Sequence, residues 1–127
     1  MSFRFSEASL KKMDGVHPDL VRVMKRAITL TPIDFKITEG LRSIERQRQL
    51  VAAGASKTMK SRHLTGHAVD VAALIGRNVR WDWPLYAQIA VAVKEAAKQI
   101  NVPIEWGGDW KTFKDGPHFQ LPWAKYP

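Results

Sequence analysis

Apolar residues recur every three or four positions in two long stretches of the chain, which is the spacing of a helix with one buried face. Each stretch opens near a proline, Pro18 or Pro84, in the first helical turn, where a helix accepts one. Two shorter helices are expected after Ser6 and Ser43, because serine is a good N-terminal cap. The predicted helices cover about residues 7–12, 18–30, 44–53 and 84–100.

Alternating apolar and polar residues between turn-forming positions predict strands in the remaining chain. The predicted strands cover residues 35–38, 68–73, 104–106 and 118–121. In the second strand, Asp70 lies on the opposite face from Val69 and Val71, and Gly76 is expected to break the chain after it. The 127 residues contain no repeat, low-complexity segment or linker, which favours a single domain over residues 1–127.

Two histidines and an aspartate lie close together between Ser61 and Asp70. Gly66 lets the chain turn back, so that His63 can approach the carboxylate of Asp70. A histidine and an aspartate in this arrangement can be two ligands of a divalent metal, and His118 on the last strand offers a third. Zinc held by two histidines and one carboxylate, with a fourth position open to water, is typical of catalytic sites. The alternative is that these are ordinary loop histidines.

The composition limits the possible chemistry and partners. The chain has no cysteine, which excludes disulfides, thiolate metal ligands and a cysteine nucleophile. Its formal net charge of +8 indicates an anionic partner or surface. The positive residues are scattered and no nucleic-acid-binding motif organises them, so a bacterial envelope satisfies the charge equally well. A basic nucleic-acid-binding protein is the alternative from a non-enzymatic class.

Neither a membrane span nor a secretion signal is expected. No apolar run approaches the roughly 20 residues that cross a bilayer, so stable membrane insertion is not predicted. The first seven residues lack the apolar core of a signal peptide. The protein is therefore expected to be made, and at first to stay, in the cytoplasm.

Three sequence elements resemble one family of enzymes. Five positions of Ser61–Asp70 match the pattern Ser-x-His-x-x-Gly-x-Ala-x-Asp, which resembles the signature of the zinc D-alanyl-D-alanine carboxypeptidase and L-alanyl-D-glutamate endopeptidase family. Residues 40–47, as Gly-x-Arg-Ser-x-x-x-Gln, and residues 106–119, with Trp-Gly-Gly-Asp-Trp and Asp-x-x-His-Phe, are similar to two further elements of that family. The resemblance covers about residues 15–121. It implies an α+β, Hedgehog/DD-peptidase-like fold, in which helices pack on a small, mostly antiparallel sheet.

The resemblance also implies roles for particular residues. It makes His63, Asp70 and His118 the zinc ligands. Asp115 corresponds to the catalytic base, and a carboxylate there could accept the proton of a zinc-activated water. Arg42 corresponds to the arginine that reaches the active centre, where a guanidinium can stabilise an oxyanion or position substrate.

Other residues near these elements are weaker candidates. Ser61, Trp106 and Asp109 are expected to contact substrate, although tryptophans more often pack than bind. His67 lies between two ligand positions in the sequence. It is expected either to contact the ligand side chains without binding the metal, or to stabilise the loop. The rival acids for the role of base are Glu39, Glu105 and Asp109.

The expected function is that of a phage endolysin that uses Zn²⁺ to cut peptidoglycan stem peptides at the L-alanyl-D-glutamate bond. A D-alanyl-D-alanine carboxypeptidase or dipeptidase is the alternative among enzymes. A metal-binding signalling domain that has lost catalysis is a third possibility, against which Asp115 argues.

Expectations about partners and location follow from the same interpretation. The substrate is bacterial peptidoglycan, and the protein is expected to be a monomer that binds no nucleic acid. It is expected to lack a separate wall-binding domain, so that targeting depends on the catalytic domain and its positive surface. It should remain in the host cytoplasm until a holin permeabilises the membrane, and then act on the wall from the periplasm.

Overall fold

Each predicted helix is present in the computed structural model, which describes residues 2–56 and 58–127. The helices are α1 (Glu7–Lys12), α2 (Pro18–Leu30), α3 (Ile44–Ala52) and α4 (Trp83–Gln99). The strands are β1 (Asp34–Glu39), β2 (Ala68–Ile75), β3 (Asn78–Arg80), β4 (Glu105–Trp106) and β5 (His118–Gln120). Two short 3-10 turns cover Arg62–Thr65 and Gly107–Asp109.

The helices begin where their capping residues predict. The Ser6 hydroxyl accepts from the Ser9 amide at 3.2 Å, and the Ser43 hydroxyl accepts from the Arg46 amide at 3.0 Å. His17 caps α2, because its Nδ1 accepts from the Asp19 amide at 3.0 Å. These bonds satisfy amide groups that have no partner inside the helix.

The strands form one antiparallel sheet in the order β1-β2-β5-β4. The fifth strand, β3, pairs with the end of β2 through a hairpin in which Ile75 faces Asn78. The predicted break at Gly76 is present as a turn, but the sequence did not predict that the chain then pairs back on β2. The missed strand has three exposed residues, so no buried alternation revealed it.

The core lies on one face of β2, beneath α2 and α4. Val69, Val71 and Ala73 point into it and are fully buried, as their alternation with Asp70 predicts. The apolar stripes of the two long helices pack against the same cluster. No helix in the described part of the chain is both long and apolar enough to cross a membrane. The fold is α+β with a small antiparallel sheet, as predicted.

Candidate metal centre and active site

The sheet register brings three polar side chains into one row. β1 pairs Glu39 with Asp70, and β5 pairs His118 with the same aspartate. Directly opposed residues on neighbouring antiparallel strands lie side by side. Pairing between strands far apart in sequence therefore brings Asp70 and His118 together.

His63 approaches this row from the 3-10 turn Arg62–Thr65. The Ser61 hydroxyl caps the turn by accepting from the His63 amide at 3.2 Å. The His63 ring is only 2% exposed, and its Nδ1 lies 2.8 Å from the Gly40 carbonyl oxygen. Because a carbonyl only accepts, Nδ1 carries the proton and Nε2 presents a lone pair. This Nε2 lies 3.2 Å from Asp70 Oδ1, but without hydrogen-bond geometry, and it has no other partner in the described residues.

His118 is oriented in the same manner from the other side. Its Nε2 lies 2.8 Å from the Gln120 amide oxygen, which can only accept, so Nε2 carries the proton. Its Nδ1 therefore faces Asp70 Oδ1, at 3.1 Å, with a lone pair. A ring held by a hydrogen bond on its outer nitrogen is typical of metal-binding histidines.

The three side chains form a site that fits a metal ion. One ligand atom from each of His63, Asp70 and His118 lies within 4.8 Å of the other two. In these tautomers, two lone pairs and a carboxylate face one another in a largely buried space, which is unfavourable unless a proton or a cation lies between them. Within residues 2–56 and 58–127 this is the only such group of three or more metal-binding side chains.

The charges in this cluster shift the pKa of its members. Burial alone would raise the pKa of the Asp70 carboxyl, but the contacts and charges of His118 and His63 outweigh it and hold that pKa well below its ordinary value. Burial lowers the pKa of His118, but the hydrogen bond and the negative charge that Asp70 offers to the protonated ring outweigh this effect and raise the pKa. Both directions agree with a cluster that favours positive charge beside Asp70.

Arg42 lies beside the cluster and is held in place from several sides. Its Nε and Nη2 donate to the two oxygens of Glu39 at 2.8 and 2.6 Å, and its Nη1 donates to Gln47 Oε1 at 2.7 Å. The Nη2 atom is also 3.7 Å from Asp70 Oδ2. The hydrogen bond from Arg42 lowers the pKa of Glu39, so Glu39 is its ion-pair partner and is poorly suited to be a base.

Asp115 is held near the cluster by the turn before β5. Its amide donates to the Gly107 carbonyl at 3.0 Å, and its carbonyl accepts from the His118 amide at 3.2 Å. A Cβ on Gly107 would lie 2.3 Å from the Asp115 carbonyl oxygen, so the approach requires glycine there. Burial, and then the negative charge of Asp70, raise the pKa of the Asp115 carboxyl. A carboxyl with a raised pKa is a better proton acceptor than an exposed one.

The predicted ligands, Asp115 and Arg42 all line one open groove of about 1140 Å³. Ser61 also lines it, and its hydroxyl is 3.5 Å from Arg42 Nη1. Glu105, one of the rival acids, lies on the same wall but accepts from Trp110 Nε1 at 3.2 Å. The groove is thus lined by residues of β1, β2, β4 and β5 and of the turns and loops between the elements.

Two residues expected to contact substrate lie elsewhere. Trp106 is 8% exposed, belongs to the core, and donates from Nε1 to the Gly116 carbonyl at 2.7 Å. Asp109 is exposed and forms an ion pair with Lys94 at 2.6 Å. Neither lines the groove, whereas Trp110 does, with its ring 5.2 Å from that of His118. Trp110 is the tryptophan of this pair that forms the groove wall.

His67 is close to His63 and Asp70 in the sequence, but its side chain contacts other residues. Its Nδ1 lies 2.7 Å from the Thr65 hydroxyl, and its ring lies 5.5 Å from that of His17. Burial, together with the positive charges of Arg62 and His17, lowers the pKa of His67. These contacts agree with a role in stabilising the loop, and not with a contact between His67 and the side chains of the predicted ligands.

Sequence reasoning missed the groups that hold the two histidines. Gln120 is two residues after His118 on one strand, so the alternation of side chains could have placed it on the same face. The Gly40 carbonyl, in contrast, lies 23 residues from His63, and no local pattern points to it. Glu39, one of the rival acids, lies three residues before Arg42, and this spacing also allows the ion pair that the two residues form.

The antiparallel sheet, the open groove and the buried His-Asp-His group define a small α+β domain with a candidate metal centre. The chain belongs to the phage L-alanyl-D-glutamate peptidase family, whose model matches residues 1–121. The family inferred from sequence motifs is thereby confirmed.

Individual relatives agree with this assignment. The chain is 34% identical over 119 residues to the L-alanyl-D-glutamate peptidase of Escherichia phage T5, covering 91% of this chain and 87% of that protein. It is 33% identical over 120 residues to the peptidoglycan L-alanyl-D-glutamate endopeptidase CwlK of Bacillus subtilis, covering 77% and 66%. The crystal structure of the L-Ala D-Glu endopeptidase ChiX of Serratia marcescens matches with a TM-score of 0.94 and 55% identity, covering 99% of this chain and 95% of that chain.

Proposed function

We propose that this protein is a zinc-dependent endopeptidase that hydrolyses the L-alanyl-D-glutamate bond of peptidoglycan stem peptides. The observation that carries the proposal is the buried group of His63, Asp70 and His118, with both histidine lone pairs aimed at one carboxylate beside Asp115. The names of the relatives supply the bond and the polymer. None of these three relatives is named as a carboxypeptidase or as a nucleic-acid-binding protein, so their names support neither alternative.

The ligand set favours zinc among divalent metals. Two imidazole nitrogens and one carboxylate oxygen suit zinc, whereas magnesium and calcium prefer oxygen ligands alone. When bound, zinc would polarise the alanyl carbonyl and lower the pKa of a water molecule toward neutrality. His63, Asp70 and His118 are the residues that would hold it.

Asp115 has the role of general base in this proposal. It accepts a proton from the water whose oxygen attacks the alanyl carbonyl carbon. It then donates that proton to the nitrogen of the departing D-glutamyl residue as the carbon–nitrogen bond breaks. The products are a free alanyl carboxylate and a free amine.

Arg42 supplies a fixed positive charge in the groove, beside Asp70. Glu39 and Gln47 hold its guanidinium, so it needs no reorganisation when negative charge develops on the alanyl oxygen. Its proximity to Asp70 also helps to keep that ligand oriented. Ser61, which lines the same groove, is proposed to contact the substrate backbone.

The decisive experiment is mass spectrometry of fragments from purified sacculi digested with the zinc-loaded protein. We expect stem peptides that begin with a new D-glutamyl amine, and none after treatment with a strong chelator. A His63→Ala variant is the matched control, because it removes one ligand and leaves the groove surface almost unchanged. Release of free D-alanine, without new D-glutamyl ends, would favour the carboxypeptidase alternative and contradict the proposal.

The relatives from phages suggest a role in lysis of the host at the end of infection. We propose that a holin gives the protein access to the wall from inside the cell. Co-expression with a holin should cause lysis, whereas the protein alone should be tolerated. Rapid lysis by the protein alone would contradict dependence on a holin.

A further inference from the structure

Residues 110–115, called here the groove loop, form one side of the proposed active site. All six residues line the groove. The loop is closed at its base by a single acceptor, because the amides of Trp110 and Asp115 both donate to the Gly107 carbonyl, at 3.3 and 3.0 Å. The proposed base is thus the last residue of a loop whose whole length faces the substrate space.

The groove loop carries positive charge that is not neutralised within the described protein. Lys111 and Lys114 are exposed on the groove, and neither forms an ion pair with a carboxylate of residues 2–56 or 58–127. The two arginines that line the groove, in contrast, already have partners within the protein. Arg42 is paired with Glu39, and buried Arg62 donates to the Leu121 carbonyl at 3.1 Å. The two lysines are therefore free to attract an anionic group of a ligand.

An aromatic residue stands between these lysines in an unfavourable conformation. Phe113 has a φ of 51°, in the left-handed region that residues with a Cβ seldom adopt. The residue is 72% exposed, so core packing does not account for the conformation. Strained residues that expose an apolar ring beside a groove are typical of binding sites.

We propose that the groove loop recognises a free carboxylate on the substrate, with Lys111 and Lys114 as the specificity-determining residues and Phe113 as an apolar cover. This inference rests on the proposed function. A glutamyl residue at the scissile bond has two carboxyl groups, and one remains free when the other continues the peptide. Lys114 directly precedes Asp115, so its Cα lies about 3.8 Å from that of the proposed base, on the same side of the groove.

The test compares two synthetic stem peptides that differ only in this group, which is a carboxylate in one and a carboxamide in the other. For the wild-type protein, we expect kcat/KM to be about fivefold to tenfold higher for the carboxylate, as two partly exposed ion pairs would provide. Added salt should reduce this preference, because it screens exposed charges. In the Lys111→Met, Lys114→Met double variant the preference should fall below about twofold, mainly through KM.

Two control variants separate recognition from general effects. Lys25→Met removes another exposed lysine, on α2 and outside the groove lining, and should keep the full preference. The Lys111→Arg, Lys114→Arg double variant keeps the charges and should retain most of it. Equal cleavage of both peptides by the wild type, or an unchanged preference in the methionine variant, would overturn the inference and leave the proposed function standing. Failure of the zinc-loaded wild type to cut either peptide would overturn both.

Discussion

At the scale of single residues, the proposed site depends on which nitrogen of each histidine carries the proton. The Gly40 carbonyl decides this for His63, and the Gln120 amide oxygen decides it for His118. Both acceptors lie on the outer side of the rings, so both inner nitrogens present lone pairs to the space beside Asp70. The orientation of the two proposed ligands is thus set by groups outside the proposed ligand set.

Replacing Gln120 tests this dependence. Gln120→Leu removes the acceptor, so the His118 ring loses its preferred tautomer and orientation. We expect the affinity for zinc to fall about 10- to 100-fold, the usual effect of losing such a partner. Competition with a fluorescent chelator measures it, and Gln88→Leu on the exposed face of α4 is a matched control. Unchanged affinity would show that Gln120 does not hold the ring.

Replacing Asp115 separates the base from the ligands. Asp115→Asn keeps the size of the side chain and the backbone bonds to Gly107 and His118, but it removes the proton acceptor. Zinc content and fold should stay near those of the wild type. The turnover rate on stem peptides should fall by roughly 10²- to 10⁴-fold, the usual contribution of a general base. A rate within a few-fold of wild type would leave Glu105 as the acid on the groove to examine next.

At the scale of elements, the register of β2 against its neighbours assembles the site. A shift of one residue between β2 and β5 would turn Asp70 or His118 to the other face of the sheet. Buried Val69 and Val71 prevent such a shift, because their side chains occupy the core face. The apolar pattern of β2 therefore fixes the position of Asp70, a proposed metal ligand.

The groove loop gives an element-scale prediction about strain. At Phe113, glycine should be more stable than alanine by about 1 kcal/mol, because only glycine adopts a positive φ freely. At exposed Val91 in α4 the order should reverse, with alanine more stable by about 1 kcal/mol. Urea unfolding of the two pairs of variants measures both differences. If alanine were the more stable residue at both positions, the strain at Phe113 would be absent in solution.

At the scale of the whole molecule, the C-terminal segment joins distant parts of the fold. The Tyr126 hydroxyl donates to Asp19 Oδ2 at 2.7 Å, across 107 residues of sequence. Arg62, next to the proposed ligand His63, donates to the carbonyls of Leu121 and Tyr126, and its guanidinium lies 4.0 Å from the ring centre of Trp123. This segment thus supports the turn that carries His63.

The link between Tyr126 and Asp19 should make stability depend on pH. The hydrogen bond from Tyr126, and then that from Arg22, hold the pKa of Asp19 below its ordinary value of 3.8. The stabilisation is therefore complete above that value and is lost as the pH falls through the lower pKa of the folded state. Tyr126→Phe should lose less stability than the wild type when acidified from about pH 5 to about pH 2. Urea unfolding across this range measures the difference, and parallel curves would contradict it.

The net charge of +8 gives a second prediction for the whole molecule. If the positive surface guides the protein to an anionic wall, lysis of sacculi should slow as salt rises. Cleavage of a small peptide without net charge should change less over the same range. Equal salt dependence in the two assays would remove the reason to assign a targeting role to the scattered cations.

Local sequence information was sufficient for the four helices and for four of the five strands that the structure describes. The starts of α1 and α3 were predictable because Ser6 and Ser43 bond to amides three residues after them. The start of α2 was predictable because Pro18 suits the first helical turn. The motif between Ser61 and Asp70 was recognisable because its members are close in sequence. The same local information could not predict β3, whose three residues have no buried face.

Tertiary structure decided the geometry of the site, because it depends on pairs far apart in the chain. Asp70 and His118 meet through strand pairing across 48 residues, and the tautomer of His63 depends on a carbonyl 23 residues away. Local pattern also could not tell which of Trp106 and Trp110 faces the groove. The Trp106 ring packs so closely over Gly108 that a Cβ there would lie 2.3 Å from it. That close packing holds Trp106 in the interior and leaves Trp110 to form the wall of the groove.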